Sequence, residues 1–435
     1  MRRLQLSLAL MLTFAAITQA ANWPHWRGPF YNGSTDEAAL PSEWSRTEGV
    51  LWSVELPGCS AATPIVWDDR VFISGVDAAQ DRLVAMCFDA AGGKLLWRHD
   101  LAQGTQRDGR SNYASASPVT DGTSVVFFYA NGDLICYDMA GAQRWARNIQ
   151  QDYGTFAFLW TFAASPTIVG DRLYIQVLQR DVPVSGRGSS RNDSYLLAVG
   201  LADGKTLWRQ IRPSQAVAES REAFSTPIPH RFGDSLQILV VGGDDLTGHD
   251  SATGEELWRW GTWNPRRIGH WRLVPSPVAG GGVVLACAPK DDPIYAIAPK
   301  GRGVLGDDAV AWTSASTRQI TSDVPTPAFF DGDFLILSDL RKSLARVDAA
   351  GGVKWLIETP GRSKYEASPT VADGKVYLIN HAGDAAVLNA ADGNVLATID
   401  MDDPSGGELV RASISIASGR LFIRTTRHLY CIAAK

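Results

Sequence analysis

Seven short segments of this 435-residue chain hold the side chains best suited to bind a ligand or do chemistry. Each segment lies directly ahead of one copy of a repeated phrase, and together the segments supply aromatic, charged and amide groups. Aromatic walls with a few convergent polar groups are typical of sites for small molecules or peptides. The candidate ligand-binding residues are Asn112, Tyr113, Trp160, Arg221, Glu222, His270, Trp271, Arg272, Asp323, Lys364, Tyr365, Glu366 and Arg411.

Three kinds of chemistry are open to these residues. His270 is the candidate catalytic residue, a general base, because the pKa of imidazole lies near neutrality. Arg272 and Arg411 could each hold a carboxylate through two parallel hydrogen bonds, which suits an acidic ligand or a quinone carboxylate. A Ca²⁺ site built from hard oxygen ligands is the third possibility. Its candidate ligands are Glu222, Asp323 and Glu366.

A structural interpretation of the same residues stays open. The charged groups could pair with one another, as Lys364 with Glu366, and Trp271 and Tyr365 could simply fill a channel. No Ser/Asp partner at a recognisable spacing supports a catalytic triad around His270. The sequence therefore favours binding over catalysis at these segments.

The phrase that follows the segments occurs eight times and decides the fold. It consists of Ser or Thr, usually Pro, and then a β-branched run, and successive copies lie between 42 and 61 residues apart. A period of this length made of strands predicts a propeller or an array. The copies begin at Thr63-Pro64, Ser117-Pro118, Ser165-Pro166, Thr226-Pro227, Ser276-Pro277, Thr326-Pro327, Ser368-Pro369 and, in a degenerate form, Ser413-Ile414.

Each copy continues with a tight turn and three more strands, which makes one four-stranded antiparallel blade. Asp373-Gly374 is a typical turn, since both residues tolerate the positive φ of a two-residue hairpin. A Trp on the fourth, outer strand is expected to fill the gap between blades and to donate its indole N–H to a neighbouring carbonyl. These docking residues are Trp52, Trp97, Trp145, Trp208, Trp258, Trp312 and Trp355, whereas Ala397 takes the position in the seventh copy.

The two ends of the chain predict how the ring closes. Val50-Leu51-Trp52 is a fourth-strand phrase ahead of the first copy, and the chain ends in a third strand at His428–Ile432. We therefore expect the N-terminal strand to complete the last blade, so that residues 50–435 form an all-β, eight-bladed propeller. Residues 21–49 precede it as an extension, expected along the surface of the ring with Trp23 and Trp26 as anchors.

Residues 1–20 predict a secretory signal peptide with cleavage after Ala20. Its apolar stretch is shorter than the roughly 20 residues of a spanning helix, so no transmembrane segment is expected after cleavage. The first cysteine is Cys59, which argues against a lipid anchor and favours a periplasmic or extracellular protein. Loss of Arg2 and Arg3 changes the net charge from −5 to about −7, and nothing suggests nucleic-acid binding.

Five cysteines are an odd number for an exported protein. Cys87, Cys136 and Cys431 occupy equivalent third-strand positions in different copies; such positions on different blades usually lie too far apart for a disulfide, which stays the alternative. They are interpreted as small buried apolar residues, and no Cys/His spacing indicates a zinc site.

The stretch Asp250-Ser251-Ala252-Thr253-Gly254-Glu255-Glu256-Leu257-Trp258 resembles the tryptophan-docking motif of the quinoprotein (PQQ) propellers. In size and repeat style the chain also resembles BamB-like outer-membrane assembly lipoproteins and bacterial PQQ-binding-like propeller repeat proteins. The opening Trp23-Pro24-His25-Trp26-Arg27-Gly28-Pro29 is similar to exported members of the last group. The resemblance covers about residues 22–435 and implies the propeller fold; for the quinoprotein branch it also implies PQQ, Ca²⁺ and dehydrogenase activity.

Three functions follow as hypotheses. The chain lacks the adjacent cysteines of quinoprotein alcohol dehydrogenases and the lipid-bearing cysteine of the assembly lipoproteins. We therefore expect first an exported binding or scaffolding module for a protein, small-molecule or glycan ligand. The second hypothesis, a PQQ/Ca²⁺-dependent dehydrogenase of alcohols or sugars, predicts carboxylates converging around an open cavity, and a mouth plugged by Trp271 or Phe162 argues against it. The third, a polysaccharide-binding module, predicts Trp160, Trp271 and Tyr365 exposed on one surface.

Overall fold

The computed structural model describes residues 22–105, 108–261, 263–401 and 408–434; the proposed signal peptide lies outside them. Within these ranges the strands form eight antiparallel sheets, which are the blades of a propeller, as predicted. The first strands of neighbouring blades contact each other around the axis, so they are the inner strands, and the fourth strands form the rim.

The strand bounds follow the repeat, with blades numbered from the first complete copy. Blade 1 consists of Ile65–Trp67, Arg70–Asp77, Arg82–Asp89 and Leu95–Gln103; blade 2 of Val119–Thr120, Ser124–Phe128, Asp133–Asp138 and Gln143–Asn148. Blade 3 consists of Thr167–Val169, Arg172–Val177, Tyr195–Gly200 and Thr206–Ile211; blade 4 of Ile228–Phe232, Ser235–Gly242, Asp245–Asp250 and Glu256–Trp260. Blade 5 consists of Val278–Gly280, Val283–Cys287, Ile294–Ile297 and Val310–Thr313; blade 6 of Ala328–Phe330, Asp333–Ser338, Ser343–Asp348 and Val353–Glu358. Blade 7 consists of Thr370–Ala372, Lys375–Ile379, Asp384–Asn389 and Val395–Asp400; blade 8 of Ser415–Ala417, Arg420–Arg424, His428–Ala433 and, from the N-terminal side, Val50–Glu55.

Few other elements interrupt the blades. A short strand, Gly303–Val304, adds to blade 4 in parallel with its outer strand. The described helical elements are an α-helix at Ile149–Tyr153 and 3₁₀ turns at Ala218–Arg221 and Asp307–Ala309. No helix in the described ranges is long and apolar enough to cross a membrane.

Blade 8 closes the ring in the predicted way. Val50–Glu55 pairs antiparallel with His428–Ala433, with Trp52 opposite Cys431 and Glu55 opposite His428. The two ends of the sequence therefore share one sheet, and each of the eight blades has its four strands.

The outer tryptophans dock onto the next blade as expected in five of seven cases. Trp145, for example, donates its indole N–H to the carbonyl of Leu201 at 2.8 Å and lies flat against Gly204, where a Cβ would come within 2.7 Å of the ring. Gly204 has φ = 71°, so the turn needs glycine both for its backbone and for the close approach. The other four bonds run from Trp52 to Ala90, Trp97 to Met139, Trp312 to Ala349 and Trp355 to Ala390.

Two tryptophans depart from this pattern. Trp208 packs on Gly254, but its buried N–H has no acceptor within the described part of the chain. Trp258 donates within its own blade to Gln237 at 2.8 Å. Its neighbour, blade 5, carries the longer connection from Ala298 to Ala309 where blades 1–4, 6 and 7 have a short glycine turn, so the usual docking position is missing.

The alanine in the seventh copy has a physical reason. Blade 7 faces blade 8, whose third and fourth strands belong to opposite ends of the sequence and are not joined by a turn. Ala397 packs instead on a cluster that includes Trp44, whose indole N–H reaches the Met401 sulfur at 3.0 Å. Trp44 of the N-terminal extension thus lies near the boundary between blades 7 and 8, where the outer strand of blade 7 has no tryptophan.

The N-terminal extension crosses the axis of the ring rather than running along its outer surface. Trp23 pairs with Val66 in blade 1, and the carbonyl of Pro24 accepts from Thr120 in blade 2. On the opposite side, Gly33 accepts from Val371 in blade 7. The extension therefore closes one end of the axial channel.

Candidate binding site in the axial channel

The axial channel is a blind cavity of about 190 Å³. Trp26 of the N-terminal extension forms its floor, and the loops that enter the inner strands form its open mouth. Arg110 and Trp160 line it from the loops before blades 2 and 3, and Arg272 and Arg411 from those before blades 5 and 8. The predicted convergence of these loops around one mouth is therefore present in the fold.

A closed ring of hydrogen bonds surrounds the middle of this cavity. It is formed by the Ser or Thr that opens each copy of the repeat: the backbone N–H of each residue donates to the side-chain hydroxyl of its counterpart in the next blade. The pairs, donor first, are Thr63 to Ser117 (2.9 Å), Ser117 to Ser165 (3.0 Å), Ser165 to Thr226 (3.2 Å), Thr226 to Ser276 (2.8 Å), Ser276 to Thr326 (2.9 Å), Thr326 to Ser368 (2.9 Å), Ser368 to Ser413 (3.1 Å) and Ser413 to Thr63 (3.0 Å).

The ring presents hydroxyl donors to the cavity. All eight side chains line the cavity and are between 2% and 7% exposed. Each hydroxyl oxygen already accepts one N–H, and in the described structure no protein group accepts a hydrogen bond from any of the eight hydroxyls. A hydroxyl has one hydrogen to donate, so eight donors remain for whatever occupies the cavity.

A carboxylate surrounded by cations forms one side of the mouth. Glu366 lies 2.8 Å from both Lys364 and Arg411 and 2.9 Å from the Nε2 atom of His381. Burial alone would raise the pKa of Glu366, but these three partners hold it well below its usual range. Glu366 is therefore ionised at neutral pH, and its oxygens are occupied by Lys364, Arg411 and His381.

Arg110 stands beside this cluster at the mouth. Its guanidinium lies 5.9 Å from the centre of the Trp160 ring and 3.8 Å from Glu366, and the side chain is 52% exposed. Asp108 fixes both loops, since it accepts from the backbone N–H groups of Arg110 and Thr161 at 2.6 and 2.5 Å. Burial raises the pKa of Asp108, but these N–H groups bring it below its ordinary value. A charged and aromatic wall is thus held rigidly at the entrance.

Beneath the floor lies a fully buried arginine. Arg27 donates to the carbonyls of Pro327 at 2.8 Å and Pro369 at 3.0 Å, which directly follow two ring residues. Its guanidinium lies 5.3 Å from the Trp26 ring centre, and no carboxylate of the described chain pairs with it. Burial lowers the pKa of Arg27 to about 9, so it stays charged at neutral pH.

The structure brings four of the predicted site residues to the cavity wall: Trp160, Arg272, Glu366 and Arg411. Lys364 does not line the cavity itself but pairs with Glu366, which does. Asn112 lines a smaller adjoining pocket and donates to the carbonyl of Cys59 at 2.7 Å. Tyr113 packs into the core between blades instead.

The other predicted residues lie outside the cavity lining. His270 is exposed and is not placed as a base beside the cavity. Arg221 pairs with Asp181 at 3.4 Å and donates to nearby carbonyls. Asp323 accepts from the backbone N–H of Lys290 at 2.7 Å.

Glu222 is buried away from the axis. It pairs with Arg180 at 2.5 Å and accepts from the backbone N–H of Leu159 at 3.0 Å. Burial raises its pKa to about 7, although Arg180 acts in the opposite direction. Its contacts fix the loop that carries Trp160 and give it no access to the cavity.

The expectation of three exposed aromatics on one surface is wrong. Tyr365 is 3% exposed, packs in the core of blades 6 and 7 and donates its hydroxyl to the carbonyl of Pro360 at 3.0 Å. Trp271 is half-buried against the blade 4 core. Neither Trp271 nor Phe162 plugs the mouth, since Phe162 is buried in the core and Trp271 stands outside the lining.

The side chains at the cavity do not fit a Ca²⁺-dependent quinone site. The three proposed calcium ligands, Glu222, Asp323 and Glu366, do not converge, and only Glu366 reaches the wall. Its oxygens are taken by Lys364, Arg411 and His381. In the described ranges no group of three or more His, Cys, Asp or Glu residues is placed to hold a metal ion.

Sequence reasoning missed the parts of the site that contribute most of its polar groups. The ring residues were recognised as a repeat, yet their hydroxyls were not assigned to the channel. The available signal was the recurrence of a hydroxyl residue directly before the proline in seven copies and at Ser413 in the eighth. Arg110 precedes a proposed segment by one residue, and Trp26 was placed only as an anchor.

The fold and the site define a propeller of PQQ-like repeats with a ligand-sized cavity on its axis. The family model described as outer membrane protein assembly factor BamB matches residues 35–182, 82–304 and 290–432. The chain therefore belongs to this family. A comparison with curated proteins found no match.

Solved structures share the fold. BamB from Moraxella catarrhalis is 13% identical, with a TM-score of 0.59, over 88% of this chain and 99% of that one. The quinohemoprotein alcohol dehydrogenase from Comamonas testosteroni is 13% identical, with a TM-score of 0.63, over 94% of this chain and 80% of that one. A europium-containing methanol dehydrogenase is 9% identical, with a TM-score of 0.67, over 95% of this chain and 98% of that one. At such low identity these similarities show the fold alone.

Proposed function

We propose that this protein is a non-catalytic binding module of the cell envelope that holds one end of a ligand in the axial cavity. The observation that carries the proposal is the cavity itself, which is open at the loop end, blind at the other and lined by side chains from several blades. The blades form a rigid scaffold around it. The titratable side chains at the mouth pair with one another, which suits binding better than acid–base chemistry.

The family description supports a role in the envelope and a protein as the partner.

Export through the signal peptide at residues 1–20, without a lipid anchor, is part of the proposal. Mass measurement of the mature protein tests it, with a chain beginning at Ala21 as the expected result. An unprocessed chain, or one carrying lipid, would contradict this part.

Complementation tests the use of the cavity. A strain of the source organism that lacks its own copy receives the wild-type gene or variants that fill the cavity. Ala163→Trp and Ala61→Trp place a large ring in the lining at two separate loops. The matched control is Leu396→Trp, which adds a ring on the exposed rim of blade 7. The readout is the amount of folded outer-membrane protein, judged by its heat-modified migration on gels.

We expect the wild type and Leu396→Trp to restore assembly and both cavity-filling variants to fail, while all variants keep the wild-type melting temperature. Full restoration by folded Ala163→Trp and Ala61→Trp would contradict the proposal. Failure of Leu396→Trp alone would place the working surface on the rim and would also contradict it.

A further inference from the structure

We propose that the ring of eight hydroxyls is an oxyanion site, at which a carboxylate, phosphate or sulfate group of the ligand binds on the channel axis. The inference rests on the proposed function, because it takes the cavity as the ligand site, and it deepens that function by naming the chemical class of the group that enters. It stands on three features of the cavity: its donors, its charge and its floor.

The donors of the ring need acceptors. Each of the eight hydroxyls is more than nine-tenths buried, accepts an N–H from the preceding blade and lines the cavity. Since the N–H occupies one side of the oxygen, the hydroxyl hydrogen turns away from it, and in the described structure no protein acceptor takes it. An oxyanion offers only acceptor oxygens and therefore complements this ring.

The charge of the lining favours an anion over a neutral group. Three arginines reach the cavity, Arg110, Arg272 and Arg411, whereas Glu366 is the one carboxylate among the described lining residues. Glu366 is already shared by Lys364, Arg411 and His381. Among the lining side chains positive charge is thus in excess, although Arg272 also lies 3.8 Å from Glu219 outside the lining. The site is partly enclosed, so water screens this charge less than at an open surface.

The same features disfavour a cation at the ring. Each ring oxygen already accepts one N–H, which leaves it a single lone pair for a cation. The guanidinium groups at the mouth would repel it as well.

The floor adds a further donor and a further charge. Trp26 lines the cavity, and its buried indole N–H has no acceptor within the described ranges. Arg27 carries its charge directly beneath Trp26. Its two closest hydrogen-bond partners are neutral carbonyls, those of Pro327 and Pro369. A buried charge without a counter-ion is costly, and an anion on the axis above it would offset that cost.

Isothermal titration calorimetry on the purified protein tests the proposal. The probes are inorganic phosphate, sulfate and acetate, each titrated against a chloride background of constant ionic strength. We expect saturable binding of at least one probe. Acetate alone would identify a carboxylate as the natural group, and phosphate or sulfate alone would identify a tetrahedral oxyanion. The absence of saturable binding for all three probes would overturn the proposal.

Paired ring variants locate the binding. Ser276→Ala and Ser413→Ala each remove one donor, and we expect each to weaken binding about tenfold, the effect of one lost hydrogen bond to a charged group. Ser276→Thr and Ser413→Thr keep the hydroxyl and should bind as the wild type does. Arg302→Gln, an exposed arginine far from the cavity lining, is the control for surface charge. Equal affinity in the Ala and Thr variants would overturn the assignment to the ring.

The two proposals can fail separately. If Ala163→Trp and Ala61→Trp fail to complement but no oxyanion binds the wild type, the cavity is used and the oxyanion assignment is wrong. If an oxyanion binds through the ring while both cavity-filling variants complement fully, the anion site is real and the proposed function is wrong.

Discussion

Each ring hydroxyl has a structural role besides the proposed binding role. It accepts a hydrogen bond from the backbone N–H of the ring residue in the preceding blade. A buried N–H that loses its acceptor costs free energy, whereas a polar group with a partner does not. The repeat therefore keeps a hydroxyl at this position in every blade, as Ser or Thr without distinction. Two residue-scale predictions follow from the ring and from the cluster at its mouth.

The first prediction concerns Ser276, whose oxygen accepts from the N–H of Thr226 at 2.8 Å. Ser276→Ala should lower the free energy of unfolding by about 1–3 kcal/mol, because that N–H becomes unsatisfied. Ser276→Thr keeps the oxygen and should change the free energy of unfolding by less than about 1 kcal/mol. Urea denaturation measures the free energy of unfolding of both variants. Equal stabilities for the two variants would show that the ring bond contributes nothing.

The second prediction concerns pH and Glu366. Because the folded-state pKa is well below the ordinary value of 4.5, the ionised carboxylate stabilises the fold above pH 4.5 and that contribution is lost as the pH falls further. Glu366→Gln should lower the free energy of unfolding at pH 7 by about 3 kcal/mol, since it leaves Arg411 without its counter-charge and Lys364 with Asp339 alone.

Urea denaturation across the acid range checks this. The wild type should lose stability below pH 4.5 more steeply than Glu366→Gln, and Glu255→Gln, in the exposed pair with Arg302, should follow the wild type. Parallel pH profiles for the wild type and Glu366→Gln would show that the partners of Glu366 do not lower its pKa in the folded protein.

At the level of the element, most neighbouring blades are held together by a tryptophan on the outer strand of one blade and a glycine turn in the next. Flat docking of a large ring is possible only where the turn lacks a Cβ, so the two residue types must occur together. The exceptions support this rule: blade 5 lacks the short glycine turn, and Trp258 finds its acceptor within blade 4.

A matched glycine pair tests the docking. Gly204 and Gly170 both have positive φ, 71° and 60°, but an added Cβ at Gly204 would lie 2.7 Å from the Trp145 ring, whereas at Gly170 it meets nothing within 4 Å. Gly170→Ala should cost about 1 kcal/mol from backbone strain. Gly204→Ala should cost about 1–3 kcal/mol more, because the tryptophan must move. Equal losses in thermal or urea unfolding would rule out the docking role.

The N-terminal extension is the second element to test. Arg27 fastens it to the inner strands of blades 6 and 7 through the carbonyls of Pro327 and Pro369. Arg27→Met should lower the free energy of unfolding by about 2–4 kcal/mol, since two buried carbonyls lose their donor. Arg302→Met, at an exposed site, should stay within about 0.5 kcal/mol of the wild type. A loss no larger than that of the control would mean that the extension is not held in this way.

At the scale of the whole molecule, one sheet joins the two ends of the sequence and closes the ring. The closing pair of strands places Glu55 opposite His428, both at positions accessible to solvent. Because these residues are far apart in sequence, a covalent link there would restrict the unfolded chain far more than a link inside a hairpin.

A disulfide between cysteines at 55 and 428 should therefore raise the free energy of unfolding by up to about 5 kcal/mol. The matched control is a disulfide between cysteines at 375 and 389, opposite each other within blade 7, which should add about 3 kcal/mol. Guanidinium denaturation of the oxidised and reduced forms gives the comparison. A larger gain for the short link than for the closing link would contradict closure by the terminal strands.

The fold could be predicted almost completely from the sequence, because the repeat has a local signature. Alternating strands, Asp-Gly turns and the outer tryptophans fix the blade, and Trp52 ahead of the first copy fixes the closure. The path of the extension could not be predicted, since it depends on long-range contacts such as those of Arg27 with blades 6 and 7.

The site was predicted only in part. Trp160, Arg272, Glu366 and Arg411 reach the wall because the loops that enter inner strands must meet at the axis. Which way each side chain points depends on its partners in neighbouring loops, and a sequence does not display those. Tyr365 turns into the core for this reason.

A crystal structure of the protein grown or soaked with selenate tests the oxyanion site directly, because the anomalous scattering of selenium marks the position of the anion. We expect an anomalous peak on the channel axis, within hydrogen-bond distance of ring hydroxyls such as Ser276 and Ser413. The peak should disappear in Ser276→Ala/Ser413→Ala crystals prepared in the same way. Selenate found only on the outer surface, with an axis that holds water alone, would mean that the hydroxyl ring is not an oxyanion site.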